Sequence, residues 1–267
     1  MAERIQEAWA VGAAYEQYVG RWSRLVARDF LAWTGVSPGA SWLDVGCGSG
    51  ALSEAILAWA QPAHVEGIDS SAAFVEHARA RVTDSRIQFA LADAQRLPQS
   101  NASRDAVVSG LMLNFVPRPE TALTEMARVV RPGGLVGTYV WDYAERMQLM
   151  RYFWDSAIAL DPTAAALDEG RRFPMCQPDV LDALWRAAAL ERVDTRPIDV
   201  PTRFRDFDDY WTPFLGGQGP APGFAMKLSE PSRARLRDRL RATLPVAADG
   251  SIDLVARAWA VRGWRAR

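Results

Sequence analysis

The chain has 267 residues, 49% of them hydrophobic and 24% charged, which supplies enough apolar material for a full core and argues against an intrinsically disordered protein. Its 31 basic and 32 acidic side chains nearly cancel. A protein whose charges nearly cancel has no strong overall electrostatic field to attract nucleic acid or an acidic membrane surface, so we expect neither partner.

The cysteine count and the first residues indicate the compartment. Two cysteines, Cys47 and Cys176, are too few for a disulfide framework. The opening stretch M-A-E-R-I-Q-E-A-W-A lacks the apolar centre of a signal peptide, and no run approaches the roughly 18 apolar residues of a membrane span. We therefore predict a cytoplasmic protein without a membrane-spanning segment.

Residues 41–142 alternate between short apolar runs and segments with apolar residues at helical spacing. This alternation is typical of βαβ units and a parallel sheet with helices on both faces. The predicted strands are Ser41–Val45, His64–Asp69, Arg86–Ala92, Asp105–Ser109 and Leu135–Trp141. The predicted helices are Ala51–Ala60, Ser71–Val82 and Glu120–Val130, the last of which is expected to stop at R-P-G-G, residues 131–134.

After Trp141 the regular alternation of strand and helix patterns ends. Helices are predicted at Tyr143–Leu160 and Pro178–Leu190, and a sixth strand at Glu191–Val200. Residues 201–250 form a long excursion with an aromatic helix that carries Phe204, Phe207, Tyr210, Trp211 and Phe214. Small or apolar residues at every second position, alternating with mostly larger or polar ones, predict a seventh, closing strand at Ile252–Val261.

The stretch W-L-D-V-G-C-G-S-G, residues 42–50, places a glycine-rich turn after a strand and before a helix. Such a turn lets a nucleotide-like ligand approach the backbone, and Asp69 lies at the right distance to bind ribose hydroxyls, so a dinucleotide such as NAD is one interpretation. Asp44 would repel a pyrophosphate there, whereas the ammonium and sulfonium of S-adenosylmethionine would favour a nearby carboxylate. The charge pattern favours the sulfonium cofactor.

The D-V-G-C-G-S-G motif resembles the first motif of class I S-adenosylmethionine-dependent methyltransferases, in particular the ubiquinone/menaquinone-biosynthesis type known as type 11. Four later segments resemble that family's motifs in order and spacing. They are G-I-D-S-S from Gly67, A-D-A with L-P from Ala92, D-A-V-V-S-G-L-M-L-N-F-V from Asp105 and R-V-V-R-P-G-G from Arg128. The resemblance covers about residues 41–141.

The resemblance implies an α/β fold: a Rossmann-like, seven-stranded, mostly parallel sheet with an antiparallel last strand in a three-layer αβα arrangement with helical cap segments. We expect one methyltransferase domain over residues 1–267. Its core would comprise about 41–141, 178–200 and 251–263, and its cap segments 1–40, 142–177 and 201–250.

The resemblance also implies a set of residues that bind S-adenosylmethionine. Asp69 is expected to hold the ribose, Asp93 to face the adenine amino group, and the strand-four segment with Ser109 to lie beside the methionine part. Structural alternatives stay open: Asp69 as a helix N-cap, Asp93 as a turn residue, and Cys47 as a packing residue. The full set is Asp44, Gly46, Cys47, Gly48, Asp69, Ser70, Asp93, Ala94 and Ser109.

Three further features complete the expectations for sites. Before the first strand, Tyr18, Arg21 or Trp22 could reach the methionine end of the cofactor, and Arg21 would match its carboxylate. His64 and His77 have no partners at ligand spacing, so no metal site is expected. The arginine-rich helix at 232–243 is interpreted as a solvated outer face, with an RNA-binding patch as a distant alternative.

The expected reaction is in-line methyl transfer to a small, apolar or aromatic acceptor, and no catalytic base can be named. Two alternatives stay open: an NAD-dependent oxidoreductase, and a non-catalytic cofactor-binding protein on the same fold. An apolar acceptor pocket could be lined by several aromatic residues of the cap. They are Tyr143, Phe153, Trp154, Phe173, Tyr210, Trp211 and Phe214.

Overall fold

The computed structural model describes residues 19–217 and 219–267. The chain divides into two compact units. The first, called here the aromatic unit, comprises residues 19–22, Asp142–Pro174 and Asp199–Arg257. The second, called the sheet unit, comprises Ser23–Trp141, Met175–Ile198 and Ala258–Arg267. The expected single domain with core and cap segments stays a prediction.

The described residues contain a seven-stranded sheet with the order β3-β2-β1-β4-β5-β7-β6. Neighbouring strands from β3 through β5 pair in parallel, and β7 pairs antiparallel with β5, as predicted. The strands are β1 Ser41–Val45, β2 His64–Asp69, β3 Ile87–Leu91, β4 Arg104–Gly110, β5 Val130–Trp141, β6 Leu190–Phe204 and β7 Ile252–Arg265.

Helices of the sheet unit form where apolar residues recur at helical spacing. In the helix Pro119–Val129, Leu123 and Met126 are buried one turn apart, and Pro119 starts the helix because its missing N–H is not needed in the first turn. Trp185 is buried and donates its indole N–H to the Val136 carbonyl at 3.1 Å. The helices are α1 Arg21–Thr34, whose first two residues belong to the aromatic unit, α2 Ala51–Trp59, α3 Ala72–Arg81, α4 Pro119–Val129 and α7 Pro178–Ala187.

Strand β5 begins five residues before its predicted start at Leu135, so the prediction of its first residue is wrong. The stretch R-P-G-G, which is expected to stop the preceding helix, lies inside the strand. The register between β4 and β5 shifts between Arg104 and Ala106, and Gly133 has φ +75°. A Cβ on Gly134 would lie 2.6 Å from the Asp105 carbonyl oxygen. These glycines therefore allow an irregularity that a sequence pattern cannot distinguish from a helix end.

The aromatic unit is packed around rings. Phe153 stacks on Phe214 with centroids 4.5 Å apart, and Trp154 meets Phe153 edge-on at 5.2 Å. The Tyr210 hydroxyl donates to the Leu149 carbonyl at 2.9 Å. Helices of this unit are α5 Gln148–Leu160, α6 Glu169–Arg172, α8 Phe207–Trp211, α9 Pro220–Lys227 and α10 Glu230–Thr243.

Helix α5 starts at Gln148 rather than at the predicted Tyr143. The preceding residues form a turn, because the Asp142 carboxylate accepts the Glu145 N–H at 3.1 Å and the Asp142 carbonyl accepts the Met147 N–H at 2.8 Å. Among the helices of residues 19–217 and 219–267, none has the length and apolar character needed to cross a lipid bilayer.

Candidate functional site

The glycine-rich turn follows β1 and leads into α2, at the carboxyl edge of the sheet. Gly46, Gly48 and Gly50 have φ values of +73°, +51° and +85°, which only glycine adopts readily. The amides of Gly46 and Cys47 both donate to the Ile68 carbonyl at 2.8 Å. A Cβ placed on Gly48 would have no neighbour within 4 Å, so this side of the turn is open to a ligand.

Asp69, the last residue of β2, holds this turn in place. Its Oδ2 accepts the Gly48 N–H at 2.9 Å and its Oδ1 accepts the Ser71 N–H at 2.9 Å. Ser71, not Asp69, is the N-cap residue of α3. Each carboxylate oxygen has a further lone pair, so Asp69 can brace the turn and still accept ribose hydroxyls. Ser70 is exposed beside it.

Asp44 is wholly buried at the end of β1. Its Oδ2 accepts the Ser53 hydroxyl at 2.7 Å, while its Oδ1 has no hydrogen-bond partner. Burial raises the pKa of this carboxyl to about 7, the Ser53 hydrogen bond opposes the rise, and the charge of Asp69 adds to it. A buried acceptor without a donor is costly, so this carboxylate is suited to a cation or an N–H group brought by a ligand.

The remaining predicted cofactor-binding residues of the sheet unit differ in their burial and in their hydrogen bonds. Asp93 is exposed, and its Oδ1 accepts the Gln95 N–H at 2.8 Å, as in an Asx turn; Ala94 is half-buried next to it. The Ser109 hydroxyl is buried without a partner. Cys47 is a buried free cysteine, and burial raises the pKa of its thiol, which favours a packing role over a nucleophilic one.

Sequence patterns do not single out three residues that follow β4. Leu111 has φ +59°, an uncommon conformation for a bulky residue. The side chain of Met112 lies against Gly46: its Cβ and Cε would each be 2.8 Å from a Cβ built there. Asn114 is only 7% exposed, and both polar atoms of its side chain lack partners. No periodic pattern signals such contacts, because they depend on where β4 ends relative to β1.

Arg21 belongs to the aromatic unit. Its Nη1 donates to Asp209 at 3.2 Å, and its guanidinium lies over the rings of Trp22 and Phe204 at 4.4 Å and 4.8 Å. The expected contact of Arg21 with the cofactor stays a prediction. Tyr18 lies outside the described residues.

The described ranges contain no group of three His, Cys, Asp or Glu side chains placed to hold a metal ion. His64 lies at the start of β2 and His77 in α3.

A family model described as a methyltransferase domain matches residues 43–137, which run from within β1 to within β5 and include the three glycines of the turn. Together with the strand order, this match confirms the resemblance of these residues to class I S-adenosylmethionine-dependent methyltransferases.

Two curated relatives show the range of similarity. A trans-aconitate 2-methyltransferase of Methylobacterium radiotolerans is 34% identical over 155 residues, which is 56% of this chain and 57% of the relative. A fatty-acid O-methyltransferase of Mycolicibacterium smegmatis is 36% identical over 92 residues, 34% of each chain. The matched segments span 57% and 34% of the lengths of these two relatives, so the matches cover only part of each protein.

A solved structure supports the fold. Phosphoethanolamine N-methyltransferase 2 of Haemonchus contortus, in complex with S-adenosyl-L-methionine, aligns with a TM-score of 0.59 at 16% identity. The alignment covers 95% of this chain and 56% of that one. At this identity the likeness confirms the predicted fold class, while activity has to be argued from the site.

Proposed function

We propose that this protein transfers a methyl group from S-adenosylmethionine to a small-molecule acceptor. The observation that carries the proposal is Asp44, a buried carboxylate whose Oδ1 has no donor and which is the next-to-last residue of β1, the strand that leads into the glycine-rich turn. A ligand with an ammonium and a sulfonium satisfies such a group, whereas a pyrophosphate would add negative charge beside it.

The residues at this edge fit the cofactor. A Cβ built on Gly48 would have no neighbour within 4 Å, which leaves room for a ligand at this part of the backbone. Asp69 accepts the Gly48 N–H and keeps further lone pairs for the hydroxyl groups of a ligand. Asp44 would take the cationic end, and the Asp93–Ala94 loop is proposed to face the adenine. The proposed set of cofactor-binding residues also includes Ser109, Ser70 and Cys47.

The bound cofactor would supply a methyl group that is already activated by its positive sulfur. The chain itself then has to fix the ligands, because holding two reactants in line can be worth about 10⁵–10⁸ M in effective concentration. Rigid elements are suited to this role, since Gly46 and Cys47 are tied to Ile68, and Gly48 is tied to Asp69. No residue of the described chain is assigned as a base.

We infer that the acceptor is small and apolar or aromatic. The fatty-acid O-methyltransferase to which this chain is similar is named for an apolar acid, which supports this proposal, whereas the trans-aconitate 2-methyltransferase is named for a small charged acid. Among the rings predicted to line an acceptor pocket, four are fully buried and pack the aromatic unit: Phe153, Trp154, Tyr210 and Phe214. Phe173 is partly exposed and lies against Tyr143, with ring centroids 5.7 Å apart.

The test is turnover of the full chain with S-adenosylmethionine and a panel of fatty acids, aromatic acids and phenols, read as release of S-adenosylhomocysteine. We expect release that depends on an apolar acceptor and is lost in Asp69→Ala. Asp84→Ala is the matched control, because the Asp84 carboxylate accepts hydrogen bonds from Arg86 outside the proposed site. Cofactor binding without turnover on any member of the panel would contradict the proposal and favour a non-catalytic protein.

A further inference from the structure

The connection between β3 and β4, residues 92–103, runs as a loop and carries Asp93, one of the residues proposed to face the adenine. The loop begins next to the end of β2, because the Ala92 N–H donates to the Asp69 carbonyl at 3.0 Å. Asp93 then opens a turn, in which its carbonyl accepts the Arg96 N–H at 3.0 Å. The first end of this turn is therefore tied to Asp69, the proposed ribose acid.

The other end of the turn is held by two side chains of α4. The Leu97 N–H donates to Glu125 Oε2 at 2.8 Å, and the Leu97 carbonyl accepts a hydrogen bond from Arg128 Nη2 at 3.0 Å. Leu97 itself is buried, so its backbone groups need partners within the protein. The two side chains supply the acceptor and the donor that a neighbouring strand supplies in a sheet.

Glu125 and Arg128 also hold each other. Nε and Nη2 of Arg128 donate to the two Glu125 oxygens at 2.7 Å and 2.8 Å, which is the bidentate geometry of a strong ion pair. The Arg128 hydrogen bond keeps the pKa of Glu125 below its usual range, so the carboxylate stays charged at neutral pH. Nη1 of Arg128 reaches further along the loop and donates to the Gln99 carbonyl at 2.9 Å and to Asn101 Oδ1 at 2.7 Å.

This arrangement bears on how a base is recognised. A hydrogen bond weakens steeply when its donor and acceptor are displaced, so a loop that recognises a base has to stay at a fixed distance from the residue that binds the ribose. Asp69 fixes the start of the Asp93 turn, and Glu125 and Arg128 fix its end. The ion pair acts on the loop through the Leu97 backbone.

We propose that Glu125 and Arg128 are positioning residues for cofactor recognition: by holding Leu97, they keep the Asp93 turn at a fixed distance from Asp69, so that the site selects adenine over other bases. This proposal rests on the proposed function, in which the loop faces the adenine. Neither side chain takes part in the transfer step.

The test is titration calorimetry of the full chain with S-adenosylhomocysteine and with S-inosylhomocysteine, in which a carbonyl replaces the adenine amino group. Wild type should prefer the adenine compound. Arg128→Lys keeps the charge but loses the planar fork, so it should bind S-adenosylhomocysteine about tenfold more weakly, an effect of about one hydrogen bond. Its affinity for S-inosylhomocysteine should stay close to that of wild type. Arg186→Lys, which alters a similar bidentate pair with Asp182 in α7, is the matched control and should change neither affinity.

Substitutions of Glu125 separate positioning from a general loss of stability. Glutamine keeps an oxygen that can accept the Leu97 N–H, so Glu125→Gln should retain more of the preference for adenine than Glu125→Ala. Hydrogen exchange adds a measurement without cofactor: the Leu97 amide should exchange faster in Glu125→Ala than in wild type.

The outcomes distinguish the two proposals. Equal exchange of the Leu97 amide, or a preference for adenine that Arg128→Lys leaves unchanged, would overturn the positioning role alone. Equal affinity of wild type for the two compounds would overturn it as well, because the loop would then not recognise adenine. Failure of wild type to bind either compound would overturn the proposed function, and the positioning role with it.

Discussion

At the scale of single residues, Asp44 determines how the site is interpreted. Its burial beside Ser53 leaves one oxygen without a donor, and the pKa of the carboxyl rises from 3.8 to about 7. The motif predicts the acid and its position from the sequence alone. The Ser53 hydrogen bond and the depth of burial could not be predicted, because both depend on how α2 packs against β1.

The raised pKa of Asp44 predicts a pH-dependent stability. Between about pH 4 and pH 7 the folded protein keeps the Asp44 proton while the unfolded chain has lost it, so the free energy of unfolding falls as pH rises through this window. The loss attributable to Asp44 is up to about 1.4 kcal/mol per pH unit. Asp44→Asn stays neutral and should lack this component.

Urea unfolding of both proteins at several pH values measures the effect. The wild type should lose stability relative to Asp44→Asn as pH rises from 5 towards 7, by about 2–3 kcal/mol over the interval. Parallel stability curves for the two proteins would show that Asp44 ionises normally in the folded state.

Gly46 and Gly48 offer a matched pair of substitutions. Both have positive φ, so alanine at either position costs about 1–2 kcal/mol in backbone strain. Only at Gly46 would the new Cβ also overlap Met112, which adds about 1–3 kcal/mol of overpacking. We expect urea unfolding to find Gly46→Ala clearly less stable than Gly48→Ala. Equal losses would mean that Met112 does not occupy that position.

At the scale of elements, the sheet unit could be predicted because each strand, turn and helix of residues 41–142 leaves a local pattern. Strands β1 and β2 begin and end at the predicted residues. The start of β5 could not be predicted. Gly133 and Gly134 allow an irregular pairing with β4, but two glycines after a helical pattern also indicate the end of a helix. The aromatic run from Phe204 has the spacing of one helix, although Phe204 ends β6 and packs against Tyr210 at 5.3 Å.

The anchor between α7 and β5 gives a prediction at this scale. Trp185 is fully buried, and its indole N–H donates to the Val136 carbonyl. Trp185→Phe removes the donor and leaves a buried acceptor, which should cost about 1–3 kcal/mol of unfolding free energy. Trp59→Phe is the control, since Trp59 is 64% exposed and should change stability by less than about 0.5 kcal/mol. Similar losses in both variants would contradict a special role for the α7 anchor.

At the scale of the whole molecule, the chain consists of two units that are each assembled from separate segments. The sheet unit contains every predicted cofactor residue except Arg21, which lies in the aromatic unit. The family's motifs follow one another along the chain and could be recognised in order. The segments that form the aromatic unit could not be recognised from the sequence, because they come together only in three dimensions and share no common period.

The central claim is that the turn after β1 receives a cationic adenosyl cofactor. Titration calorimetry of the full chain with S-adenosylmethionine, S-adenosylhomocysteine and NAD tests it most directly, with Asp69→Ala as the variant whose turn has lost its brace. We predict that wild type binds both adenosyl compounds, that Asp69→Ala binds them more weakly, and that neither protein binds NAD. Tight binding of NAD with no heat from either adenosyl compound would contradict the account.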